Sequence, residues 1–267
     1  MNPQSTYTYW LRERLRDLML WPFNLIRDFP RRTSRLLQTI WSGCLGLVSV
    51  PSEIIRAHLA RQYKNWLRSK SRRFFHGLHL LFVQLFDLVG GPEIAQFFMH
   101  LITHTTPLTA EEIALIAGTL KPAEMRFQDI RVAEGGLLEK VFEANGRLAF
   151  TTWYTIHLPK SSHSFRHHSR QNKALLAHEF FHTYQYEKVG SRYMTEAIYV
   201  LKKTKRNCYQ YGGSAGLQLA LNNQKSFSQF NREQQAQIFQ DFFSRRQNNR
   251  DTTAYIPYIR QLQENQL

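Results

Sequence analysis

The stretch richest in chemistry is Leu175-Leu-Ala-His-Glu-Phe-Phe-His-Thr-Tyr-Gln185, which contains His178-Glu179-x-x-His182. On a helix, residues four apart lie on one face, so His178 and His182 can turn two imidazoles toward one cation. Glu179 stands beside the first imidazole and can reach a water on that cation. Two helical His ligands, an activated water and a carboxylate base are the parts of a zinc-dependent peptide hydrolase. A five-residue pattern also arises by chance, so its surroundings decide its weight.

The helix carrying the motif is expected from about Asn172 to Lys188. Leu175, Leu176, Phe180, Phe181 and Tyr184 wrap most of its circumference. That describes a buried helix with a polar seam of His178, Glu179 and His182. Imidazoles and a carboxylate in such surroundings are costly unless they are paired or bound to metal. Ahead of this helix comes a β signal. Gln128–Val132 and Leu137–Phe142 are short strand candidates, and Asn145-Gly146 favours a tight hairpin turn. Arg147 to Leu158 alternates apolar and polar, which predicts one long strand ended by Pro159. This strand is expected to be a sheet edge that aligns an extended peptide. The loop that follows holds His163, His167 and His168, which lack the rigid spacing of the helical pair.

A catalytic zinc site needs three protein ligands and one open position. Glu187 lies on the same helix as His182 but faces away. A third His six residues after His182 is absent, so the third ligand is expected to be a carboxylate from a later helix. Glu233 is preferred, because Ala236 one turn on lets its helix approach closely. Glu196 is the alternative, reached if the chain doubles back through Gly190. Asp241 is a weaker choice, or a partner that orients a ligand imidazole. Tyr184, Tyr209 and Tyr211 are candidates, by residue type, for donating to a developing oxyanion. Glu179 is the expected general base, returning its proton to the leaving amine.

At these residues the chain resembles known proteins. His178-Glu-Phe-Phe-His-Thr-Tyr-Gln185 is similar to the zincin helix of bacterial metallopeptidase-like proteins. Glu233-Gln-Gln-Ala236 is similar to the E-x-x-A ligand helix of gluzincins related to the prenyl-protein endopeptidases. The run from Arg131 to Phe243 resembles an uncharacterised family of bacterial zincin-like proteins, some of them associated with secretion or contractile-injection loci. The resemblance covers roughly residues 107–245. It implies a zincin fold, one Zn²⁺ and a Glu as third ligand. One departure is Gln237, where gluzincins usually carry an acidic residue.

The remainder of the chain frames this site. The composition, 43% hydrophobic and 13% aromatic, is that of a globular protein of 267 residues. Residues 1–105 read as basic amphipathic helices: Tyr7–Leu20 broken at Trp21-Pro22, Thr33–Val50, and a third after Ser52 with Ile55, Leu59, Tyr63, Trp66 and Leu67 in a stripe. Leu78–Ile102 is apolar but interrupted, and reads as a buried helical pair, with a hairpin dipping into a membrane as the alternative. Residues 106–245 form the expected zincin-like domain, opened by a capping box at Thr109–Glu112, and residues 246–267 a polar tail. The fold class is therefore α+β, mainly helical, with a small antiparallel sheet beside the HExxH helix. Cys44 and Cys208 sit in no metal-ligand spacing and make no disulfide framework. A net charge of +15 favours an anionic partner. The basic amphipathic helices read first as helices packed on a neighbouring domain and, as the alternative, as anchors on an anionic membrane surface; no nucleic-acid motif is present. No secretory signal is seen, which gives a cytoplasmic or peripheral-membrane expectation. The expected function is zinc-dependent hydrolysis of a peptide or protein substrate. The alternative is a catalytically inactive zincin-fold structural or interaction protein.

Overall fold

The computed structural model describes residues 3–48, 50–59, 62–118, 125–134, 140, 149–158, 170–264 and 267. It is a mainly helical α+β structure with a small mixed four-stranded sheet. The chain divides into two compact units, Met1–Ala95 and Gln96–Leu267, a boundary earlier than the expected change at residues 105–106.

In the first unit, α1 (Pro3–Val48), α2 (Val50–Leu59) and α3 (Tyr63–Leu88) are all helical. The expected break at Trp21-Pro22 does not occur, and α1 continues through both Pro22 and Pro30. Each proline removes one intrahelical hydrogen bond. Arg32, just beyond Pro30, is fastened by a buried cluster that keeps the backbone helical. It pairs with Asp28 at 3.5 Å and with Glu93, and donates to the Asp87 carbonyl. The apolar region 78–102 is two helices, α3 and α4 (Gly91–Ile102), joined by a turn at Val89-Gly90, but it is not the buried pair expected, since Phe82, Phe98 and Ile102 are exposed. Gly90 adopts a φ of +79°, a conformation that side chains disfavour.

In the second unit, β1 (Thr105–Pro107) leads to α5 (Ala110–Ala117), which opens on the expected Thr109–Glu112 capping box. β2 (Arg131–Glu134), β3 (Phe150–Thr152) and β4 (Thr155–Leu158) complete a sheet of order β1-β2-β4-β3. The sheet is mixed, because β2 and β4 are parallel while the other two pairs are antiparallel. The chain between β2 and β4 is long enough to cross over and return in the same direction. The single strand expected over residues 147–158 is two strands, folded back at Trp153-Tyr154. Trp153 takes a φ of +51° there. Its backbone N–H donates to the Tyr193 hydroxyl at 2.9 Å and its indole to Ser191 Oγ at 2.9 Å. These distant partners hold a turn that the unbroken alternation of residues concealed. Of the expected strand at Leu137–Phe142 only Lys140 is described, and it is helical; the turn at Asn145-Gly146 and the loop with His163, His167 and His168 lie outside the described residues.

Five helices follow: α6 (Arg170–Val189), α7 (Arg192–Thr204), α8 (Gly213–Asn222), α9 (Arg232–Gln247) and α10 (Ile256–Gln263). α9 lies directly against α6, and Phe180, Phe181, Phe227, Phe239 and Tyr258 fill the core around them. The segment expected as a polar tail contributes to this core. Tyr258, Ile259 and Leu262 of α10 are buried, and Tyr258 donates to the Leu217 carbonyl at 3.1 Å. Three apolar positions in a polar segment suffice, because helical spacing puts them on one face.

Candidate metal centre

The site is built on two helices. On α6 the side chains from Leu176 to Glu187 are buried without interruption. Apolar residues surround the helix, so the turn of spacing between His178 and His182 places both imidazoles on the side that meets α9. There α9 begins at a full capping box: Asn231 accepts from the Gln234 N–H at 2.9 Å, and the Gln234 side chain accepts from the Asn231 N–H at 3.2 Å. The cap sets Glu233 in the first turn, facing α6. Ala236, one turn later, is completely buried, and its small side chain permits the close approach.

The result is a candidate metal-binding group of His178, His182 and Glu233, with one donor atom from each, all within 4.8 Å of one another. Glu233 Oε2 stands 3.5 Å from His178 Nε2 and 3.5 Å from His182 Nε2. That exceeds a good N–H···O distance. Donors held about 2.1 Å from a tetrahedral zinc ion lie about 3.4 Å apart, so the spacing fits a cation between them. A second observation agrees. His178 Nδ1 is buried and has no hydrogen-bond partner among the described residues, so the ring gains nothing from its burial unless Nε2 binds. The donor set, two imidazoles and a carboxylate, is one that zinc takes in hydrolytic sites with a position left open.

A hydrogen-bond network aims the second imidazole. His182 Nδ1 lies 2.7 Å from Gln185 Oε1, which fixes the proton on Nδ1 and leaves Nε2 as the donor atom. The Gln185 amide donates to the Arg232 carbonyl at 3.0 Å and to Gln235 Oε1 at 2.9 Å. Gln235 donates in turn to the Phe227 carbonyl at 3.1 Å. Tyr193 stacks against His182 with ring centroids 5.9 Å apart. In the metal-free site, burial lowers the proton affinity of His182. The Glu233 carboxylate, with Glu179 and Gln185, outweighs it and raises the pKa to about 9. Burial likewise favours a protonated Glu233, but the two imidazoles prevail and hold it well below the usual carboxylate range.

Glu179 points toward the sheet. The Thr151 hydroxyl lies 2.8 Å from Glu179 Oε2 and 2.9 Å from its carbonyl oxygen, so its one proton serves either acceptor. The edge of β3 is less open than expected. The Tyr193 hydroxyl accepts from the Trp153 N–H and donates to the Thr151 carbonyl at 3.1 Å. Those two groups are therefore not free to pair with an extended peptide.

The remaining candidates are placed elsewhere. Glu196 does not join the imidazoles. Its carboxylate accepts from Arg192 at 2.6 Å and from Arg232 at 2.7 Å, and although burial opposes it, the two guanidiniums lower its pKa. It thereby steadies the residue preceding Glu233. Tyr184 donates into the core, to the Leu262 carbonyl at 3.3 Å. Tyr211 is committed to Asp241 and to Tyr255. Asp241 orients no imidazole, since its partners are Tyr211 and Gln237. Of the three tyrosines, Tyr209 alone stands at the site, with its ring centroid 5.9 Å from that of His178. Sequence reasoning missed Gln185, Thr151 and Tyr193. Gln185 carried a signal, three residues after His182 on the same helix. The other two come from distant elements.

Comparison with known proteins covers part of this site. The family model described as the eCIS core domain matches residues 120–190, and that domain is itself proposed to be a zincin-like metallopeptidase domain. The match takes in His178, Glu179 and His182 and stops before Glu233. No curated protein and no solved structure matches the chain.

Proposed function

We propose that the protein is a zinc-dependent peptidase in which His178, His182 and Glu233 hold the metal and Glu179 is the general base. The observation that carries this reading is the facing of two Nε2 atoms and one carboxylate oxygen at 3.5 Å, with a second carboxylate next to the first ligand. Zinc held there supplies an activated water and polarises a substrate carbonyl. The protein's own groups do the rest. Glu179, steadied by Thr151, accepts a proton at its carboxylate and returns it to the leaving amine. Gln185 and Tyr193 keep the His182 ring in its tautomer and orientation. Tyr209, whose ring lies 5.9 Å from that of His178, is the candidate donor to charge that would develop on the carbonyl oxygen. The resemblance of residues 120–190 to the eCIS core domain supports the peptidase class.

A second reading is a zinc-stabilised interaction module. The burial of His178, Glu179 and His182 favours it. Glu179 discriminates between the two, because a purely structural site gains nothing from a base beside its ligand. Glu179→Gln is expected to retain zinc and lose at least about a hundredfold in hydrolysis of an unstructured protein such as casein. Full activity in that variant would sink the mechanism. Zinc binding with no hydrolysis by the wild-type protein would assign the second reading.

A further inference from the structure

Within the unit Met1–Ala95, polar and apolar residues are arranged the opposite way from a protein core in water. On α1, Leu11, Leu15, Met19, Phe23 and Ile26 recur every three or four residues and form one face. Met19, Phe23 and Ile26 are 71%, 69% and 72% exposed. The other side of the same helix buries Arg14, Asp28 and Arg32, the last to 1%. α3 repeats the pattern. Phe74 and Phe82 are each 64% exposed, while Gln84 and Asp87 are buried.

Charge is sorted as well. Residues 1–95 contain 14 Lys and Arg against 6 Asp and Glu, an excess of eight positive charges. None of the six carboxylates belongs to an exposed residue. Glu13, Asp17, Asp28, Glu53 and Glu93 are each paired with a basic side chain, and Asp87 is buried. Arg12, Arg27, Lys64, Arg68, Arg72 and Arg73 stay exposed. The outer face of these helices therefore presents large apolar side chains and cations, with no exposed carboxylate among the described residues.

We infer that α1 and α3 form a docking face for an anionic lipid surface, with the apolar side chains in the acyl region and the Arg and Lys heads at the phosphates. Charge selects this occupant. A second copy of the unit would bring the same positive excess against itself, whereas anionic lipid supplies both opposite charge and apolar chains. No single helix among the described residues is long and apolar enough to cross a membrane, and α3 and α4 pass that test only together, as a pair bent by 67°. This inference is independent of the metal site.

The test is co-sedimentation of the full chain with vesicles of phosphatidylcholine alone and of phosphatidylcholine with phosphatidylserine. Binding is expected only to the second, and it should weaken as salt is raised. Arg68→Gln, Arg72→Gln and Arg73→Gln combined should weaken it on the order of a hundredfold. Met19→Gln, Phe23→Gln and Ile26→Gln combined should weaken it at least about tenfold, with unchanged helical circular dichroism. Absence of binding to the anionic vesicles at low salt overturns the inference, as does equal binding by wild type and both variants. A wild-type dimer that becomes monomeric in the Met19, Phe23 and Ile26 variant would assign the face to a second copy instead.

Discussion

The Glu233 carboxylate favours a protonated His182 when no metal is bound, and this sets how the site responds to pH. Its pKa is raised to about 9, so its contribution to folded-state stability is complete below 6.5 and fades as pH rises through about 9. Glu233 has a lowered pKa, so its contribution is complete above 4.5 and fades on acidification. The metal-free protein is thus held best by this pair between about pH 4.5 and 6.5. A zinc ion bound there would have to displace the His182 proton. Zinc uptake near neutral pH is expected to release about one proton from His182, and affinity should rise about tenfold per pH unit until about pH 9. Calorimetry in two buffers of different ionisation heat measures the release, and an affinity flat across that range contradicts it. The grouping of His178 and His182 was legible in the sequence because helical spacing fixes which side chains meet. Glu233 was legible through Ala236, a small residue where two helices must touch. Thr151 and Tyr193 were not, since contact between a strand and a helix far apart in sequence leaves no periodic trace.

Between elements, the alignment of α6 with α9 is what turns two helices into a site. Gln185 links them through His182, the Arg232 carbonyl and Gln235. Gln185→Leu leaves those buried groups without partners and is expected to cost roughly 2–3 kcal/mol of stability. It should also weaken zinc binding by about 10–100-fold, because the ring is no longer aimed. Urea titration and competition with a zinc chelator read the two effects, and a loss of neither contradicts the role of the network. Ala236→Leu forces the helices apart at full burial and should cost about 1–3 kcal/mol. In this part of the chain, helices were legible from caps and apolar spacing. The β3–β4 turn was not, because alternation reads the same through a hairpin whose strands share one buried face. Continuity of α1 was not legible either. Its prolines argue for a break, and the Arg32 cluster that overrides them uses Asp87 and Glu93 from far along the chain.

At the scale of the whole molecule, one unit carries the candidate metal group and the other is basic and helical. Zinc bound only by the folded state stabilises it by about 4 kcal/mol at a thousandfold excess over its dissociation constant. Removing it with a chelator is therefore expected to lower the melting temperature by roughly 10 °C, with recovery on adding zinc back. An unchanged melting curve in protein shown to lose its zinc would contradict a site at the centre of the fold. The basic character of residues 1–95 was plain from composition, but the outward turn of the apolar faces was not, because a helical stripe alone does not say which side meets water. The most direct measurement is zinc stoichiometry by mass spectrometry in wild type, Glu233→Ala and Glu196→Ala. The account predicts about one zinc per chain in wild type and in Glu196→Ala, and loss of zinc in Glu233→Ala. Zinc retained at full stoichiometry in Glu233→Ala would contradict it.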